Sequence, residues 1–132
     1  MLTLVFGLLL FSCLLGAVQT VQTIGRSGKN LTDLAVAADG AGDKWTPLTP
    51  ANLEFIAIIN GDSGSHVVTL KRGSGKTIDG STLPDPTVTV AAGKTMLIGP
   101  FPPGYYNDGN GQVGVTYDGV TSVKICVFTL GP

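Results

Sequence analysis

Charge is scarce in this chain: eight Lys and Arg and nine Asp and Glu make up 13% of 132 residues, for a formal net charge of −1. That leaves no basic field to attract phosphates and argues against a nucleic-acid partner. Cysteine is rarer still, with Cys13 in an apolar leader and Cys126 near the C-terminus, so no disulfide framework is supported. Cys126 reads as a small buried hydrophobe. The lone His66 supplies neither a metal site nor a triad, and is read as a surface residue. What the chain has in quantity is glycine, nineteen residues of it, interleaved with Val and Thr. Each interior Gly would cost a helix about 1 kcal/mol, so the composition suits an all-β domain rich in turns. At this length one domain and one core are expected.

The first 19 residues form an apolar leader that reaches Arg26 without a charged side chain. Its core, Leu2 to Val18, has the length of a signal h-region or a short membrane span, helical if present. Three fates fit it: a cleaved signal, with small residues at Gly16 and Ala17 but Leu15 in a place that prefers a smaller side chain; a retained anchor or apolar arm; or a start set too early. Met96 is the only other methionine, so a later start would use a codon near Val18 or Val21. A membrane enters the reading only if the leader is retained.

From residue 20 to 132 a single antiparallel β-sandwich or jelly-roll-like domain is expected, because short apolar runs alternate with turn residues. The strands are placed at 20–24, 53–59, 66–71, 86–90, 94–99, 112–117 and 122–130. Connectors such as "NGDSGS", "GSGK", "AAGK" and "YDGVT" are read as hairpin turns. Residues 25–52 are less regular; "LAVAA" (34–38) suits a short strand or one helical turn, and "KWTPLTP" a connection. Alternation points Val88 and Val90 inward and puts Val113, Val115 and Tyr117 on one side. The last strand is apolar on both faces, Val123, Ile125 and Val127 on one and Cys126, Phe128 and Leu130 on the other. It must be covered twice, the second time by the irregular region around Trp45 or by another subunit.

No pattern for chemistry survives. The triplets Gly75-Lys76-Thr77 and Gly93-Lys94-Thr95 lack the earlier phosphate-loop glycine, since Leu70 and Val88 stand there, and no helix pattern follows. Asn30-Leu31-Thr32 is a chance-level glycosylation pattern. Asn107, Asp108 and Asn110 lack the ligand ladder of a calcium loop and read as a self-capped turn. Asp79, Asp85, Asp108 and Asp118 sit where turns favour Asp, so a paired-carboxylate hydrolase is not supported. The expectation is a non-enzyme without cofactor or metal. A rival reading has Trp45, Phe101, Tyr105 and Tyr106 stacking on sugar rings, in an exported or membrane-tethered glycan-binding module.

One stretch stands apart: "GPFPPGYYNDGNG", Gly99 to Gly111, a stiff proline corner carrying aromatics and ending in an Asn/Asp/Gly turn. With Asn60-Gly61, Asp79-Gly80, Val88-Thr89-Val90, Ala92-Gly93-Lys94-Thr95 and Thr121-Ser122-Val123, it resembles the pattern of a family of small bacteriophage head-associated structural and decoration proteins. The likeness covers roughly residues 40 to 130, and Gly99 to Asp108 is its specific part. It implies a β-sandwich in the virion that docks in many copies on the major capsid protein or other virion subunits and self-associates. It carries over no catalytic residue. The leader departs from the family pattern. The residues singled out for contact are Phe101, Pro102, Pro103, Tyr105 and Tyr106, with Cys126, Phe128 and Leu130 of the last strand behind them.

Overall fold

The computed structural model describes residues 16–48, 54–73 and 77–131. Most of the leader, and with it the expected helix, lies outside the described residues. Its last part is a strand: β1 (Ala17–Val18) pairs in parallel with β4 (Asp43–Trp45), so the β-domain reaches back at least to Gly16. The other strands are β2 (Gln22–Ile24), β3 (Val36–Ala37), β5 (Glu54–Asn60), β6 (His66–Lys71), β7 (Thr77–Ile78), β8 (Ser81–Thr82), β9 (Thr87–Val90), β10 (Thr95–Ile98), β11 (Val113–Tyr117) and β12 (Val123–Leu130). Among the described residues there are also two single-turn helices, α1 (Leu31–Leu34) and α2 (Pro103–Tyr106).

The domain is an all-β sandwich. One sheet runs β1-β4-β11-β6-β9, the other β10-β5-β12-β2, with β3 also on β12. Pairing is antiparallel except at two edges, where β1 joins β4 and β2 joins β12 in parallel. The N-terminal stretch therefore crosses from one sheet to the other within a few residues.

The connectors depart from the hairpins read in the sequence. "NGDSGS" carries the chain from β5 to β6, "AAGK" from β9 to β10 and "YDGVT" from β11 to β12, and each of these pairs is divided between the two sheets. Turn residues report a change of direction, not which strand becomes the neighbour. Strands next in sequence do form a hairpin at β7-β8, where Asp79 (φ 51°) and Gly80 (φ 79°) make the two-residue, left-handed turn that strand twist favours.

The core follows from side-chain alternation. In β5, Ile56 and Ile58 point between the sheets to meet Val68, Leu70, Val90, Val113 and Val115, and in β12 Val123, Ile125 and Val127 do the same. Fully burying each such side chain contributes roughly 1.5–3 kcal/mol. Trp45 is wholly buried in this core, so the described part of "KWTPLTP", residues 44–48, begins as a strand and does not supply the outer cover of β12, while residues 49 and 50 lie outside the described residues. That cover comes from residues 24–35: Ile24, Leu31, Leu34 and Ala35 pack with Phe55 over Ala57, Cys126 and Phe128. Phe55 and Phe128 stack with centroids 5.8 Å apart. The helical turn α1 is started by Asn30, whose Oδ1 accepts from the Thr32 amide at 3.0 Å. The glycosylation-like triplet is thus a helix cap. The second GKT triplet sits at a turn, with Gly93 at φ 68° and the Lys94 amide bonded to the Ala91 carbonyl.

Candidate functional site

The proline-aromatic corner leaves β10 at Gly99, whose φ of 142° and following cis peptide to Pro100 turn the chain inward against β5. A Cβ on Gly99 would lie 3.0 Å from the Glu54 carbonyl oxygen and 3.1 Å from the Phe55 Cα, so the backbones touch directly. Phe101 then inserts into the core at 1% exposure and meets Trp45 and Tyr106 edge-on, both at 5.3 Å. Pro102 precedes the single turn α2, with Pro103 opening it, and the Tyr105 and Tyr106 amides both donate to the Pro102 carbonyl. The Arg72 guanidinium lies over both tyrosine rings, 5.7 Å from Tyr105 and 5.3 Å from Tyr106, and its Nε donates to the Pro84 carbonyl.

Of the residues singled out for contact, the structure divides the set. Phe101 is core, not surface, because the corner folds its ring inward; Tyr106 and Pro103 are half-buried; Pro102 and Tyr105 face solvent, Tyr105 at 46%. Cys126 and Phe128 are likewise core, sealed by the α1 segment, while Leu130 at the end of β12 stays 64% exposed. Burial also pushes the Cys126 thiol pKa up, which disfavours its reactive thiolate. Trp45 and Phe101 have no face open to a sugar ring, so the aromatics left to the stacking reading are the two tyrosines.

Asp108 behaves as a turn residue: its Oδ1 accepts the Asn110 amide at 2.8 Å and the Gln112 amide at 3.0 Å. His66 corrects the sequence reading more sharply. It is buried to 9% exposure, with Nε2 2.9 Å from Asp62 Oδ2 and Nδ1 3.0 Å from Asp118 Oδ1. The hydrogen bond to Asp62, then that to Asp118, raises the imidazole pKa, and both carboxylates are held below their usual range by the same ring. The cluster ties the β5–β6 connection to the β11–β12 connection. A glycine spacing neighbour completes it, since a Cβ on Gly119 would come 3.3 Å from His66 Cε1.

Beside the corner, on the outer side of the first sheet, lies a cleft of about 310 Å³. Its floor is Gly114, paired with Lys44 of β4 on one side and Lys71 of β6 on the other, so two ammonium-bearing stems flank a position with no side chain. Tyr106, Arg72, Asp108 and Gln112 close the end nearest the corner. Lys71 is ion-paired with Asp85, whereas Lys44 has no ion pair among the described residues. Sequence reading passed over this cleft. The signal available was an isolated Gly within "QVGVTY", which in a strand marks an omitted side chain.

Compared with family models, with curated proteins and with solved structures, the chain matches none.

Proposed function

We propose that the protein is a virion structural component of the phage-head type, a decoration or minor head protein that docks in many copies on the capsid shell. The observation that carries this reading is the Gly99–Asp108 corner, the segment most specific to the family resemblance. It is built as a rigid presenter: Phe101 anchors it in the core, Arg72 clamps both tyrosines from the side, and Pro102 and Tyr105 remain outside. An aromatic held in one conformation loses little entropy on docking. Leu130 adds exposed apolar surface at the same end of the second sheet, since β5 begins at Glu54 opposite Thr129 and Gly99 lies against Glu54. Repetition over a symmetric shell makes a modest contact sufficient.

The test is copy number in purified particles, measured by quantitative mass spectrometry. Tyr105→Ala combined with Leu130→Ser should lower occupancy about tenfold, the loss expected when a central aromatic anchor is removed. Phe101→Ala does not serve here, because it opens a core cavity in the free protein. Full occupancy of the Tyr105→Ala, Leu130→Ser protein would overturn the docking reading.

A further inference from the structure

We propose that His66 is a proton-operated latch at the end of the sandwich opposite the proline corner: as an imidazolium it clamps the β5–β6 connection to the β11–β12 connection, and loss of one proton releases the second while the first stays held. β5 fixes the location, since it runs from Glu54, against Gly99, to Asn60, which pairs with Val123 where the β11–β12 connection enters β12. The latch is therefore remote from the docking corner and independent of it.

Two bonds need two protons. Ring Nε2 lies 2.9 Å from Asp62 Oδ2 and Nδ1 3.0 Å from Asp118 Oδ1. Ionised carboxylates only accept, so both contacts are hydrogen bonds only while both nitrogens carry a proton. A neutral imidazole donates from one nitrogen and turns the lone pair of the other toward a carboxylate. Among the described residues the charged side chains that act on the ring are these two carboxylates. From the strands around it, β9 brings Val90 opposite His66, β5 brings the neutral amide of Asn60, which donates to the Gly64 and Val90 carbonyls, and β11 ends at Tyr117, whose hydroxyl is bonded to Asp43.

Exposure decides which contact fails. The Asp118 side chain is 48% exposed and that of Asp62 28%, so water replaces the ring more readily at Asp118. Asp62 is also tethered four residues from His66, whereas Asp118 is brought to it across 52. The neutral ring keeps its proton on Nε2, and Asp118 lets go. What it frees is a stretch already under strain: Ser122 sits at φ 54°, a left-handed angle for a residue with a side chain. Gly119 meanwhile approaches the ring so closely that a Cβ would lie 3.5 Å from Nδ1, and Val120 packs on the core. The Gly61 amide bond to the Ser122 carbonyl, 2.9 Å, remains as the hinge.

The experiment is long-range ¹H–¹⁵N spectroscopy of the imidazole in the full chain from about pH 5 to about pH 10, with water-exchange rates of the loop amides measured alongside. His66 is the only histidine, so the ring signals are its own. Both nitrogens should be protonated at the acid end, and at the alkaline end Nδ1 should have lost its proton while Nε2 keeps it. Across that step, exchange at the Gly119 and Val120 amides should rise about tenfold more than at Ser63, the loss of one charge-assisted bond. Asp62→Asn should invert the tautomer, leaving the proton on Nδ1 toward Asp118, and abolish the step in loop exchange; a merely structural histidine would not invert. Asp118→Ala should give fast exchange at Gly119 and Val120 at every pH, without a step. A proton kept on Nδ1 in the parent, a ring that stays doubly protonated to the alkaline end, or a titration that leaves the Gly119 to Ser63 ratio unchanged overturns the proposal. Collapse of the whole spectrum over the same step would make the event global unfolding, and overturns it as well.

Discussion

Tyr117 donates its hydroxyl to Asp43 Oδ2 at 2.7 Å, joining β11 to β4 across 74 residues of sequence. Asp43 has no exposed surface, and it also accepts from Gln19 Nε2 at 2.6 Å and from the Asp39 amide at 3.2 Å. Burial and the bond to Asp43 both push the Tyr117 pKa well above the normal phenol value, so the phenol stays a donor throughout the accessible pH range. Tyr117→Phe leaves a buried carboxylate oxygen with one long amide bond. The expected loss is about 1–3 kcal/mol of unfolding free energy, read from urea denaturation. An unchanged midpoint would mean that water replaces the hydroxyl there.

The His66 cluster sets a pH dependence of definite sign. The folded-state pKa of His66 is raised above 6.5, so its contribution is complete below about 6.5 and is lost as pH rises through the folded value. Asp62 and Asp118 are lowered from 3.8, so theirs is present above about 4 and is lost as pH falls through the folded values. Thermal stability should therefore be highest in mildly acid solution and decline on both flanks. His66→Gln should flatten the alkaline decline while lowering the plateau. A variant whose melting temperature follows the same alkaline slope as the parent would remove His66 from the explanation.

Two glycines of the corner should respond in opposite ways. Gly99→Ala places a methyl against the Glu54 carbonyl and the Phe55 Cα at a backbone angle that L-residues rarely adopt. Strain of this kind costs about 1–3 kcal/mol, and it should appear as a lower melting temperature. Gly104, within α2, has nothing within 4 Å of its Cβ position. Gly104→Ala should be neutral or stabilising by up to about 1 kcal/mol, through a less flexible unfolded chain. Equal effects at the two sites would contradict the close backbone approach at Gly99.

Much of this fold is legible in the sequence because one-sided strands announce themselves. β6 falls on residues 66–71 as read, and β5, β9, β10, β11 and β12 lie within a residue or two of their expected limits. β3 falls within residues 34–38, read as a short strand or one helical turn, but the short strands β1, β4, β7 and β8 were not legible in the same way: two or three residues carry no periodicity, and Asp43 and Trp45 look like loop residues until Tyr117 and Phe101 are folded against them. Neighbours across the sandwich were hidden for a related reason, since an Asn/Asp/Gly turn serves a hairpin and a sheet-to-sheet crossing equally well. Of the candidate contact surface, the identity of the corner was readable while the direction of its aromatics was not. That direction depends on Gly99, Trp45 and Arg72, which lie apart in sequence and meet only in the folded chain.

The end of the leader should matter for stability. Gln19 bonds the buried Asp43 through its side chain, its amide donates to the Lys44 carbonyl at 2.7 Å, and the Ala17 amide donates to the Gly42 carbonyl at 3.0 Å. Gly16 is left-handed at φ 73°, and a Cβ on it would lie 2.5 Å from the Gly42 carbonyl oxygen, so the chain passes this point in close contact with the backbone that leads into β4. A chain begun at Val21 loses all of these, strips one donor from a buried carboxylate and exposes β4 as a sheet edge. Its unfolding free energy should fall by at least about 2 kcal/mol, since bonds to charged groups contribute about 1.5–3 kcal/mol each. Equal stability of the Val21 chain would show that β1 and Gln19 are dispensable to the sandwich, and that the domain begins at β2.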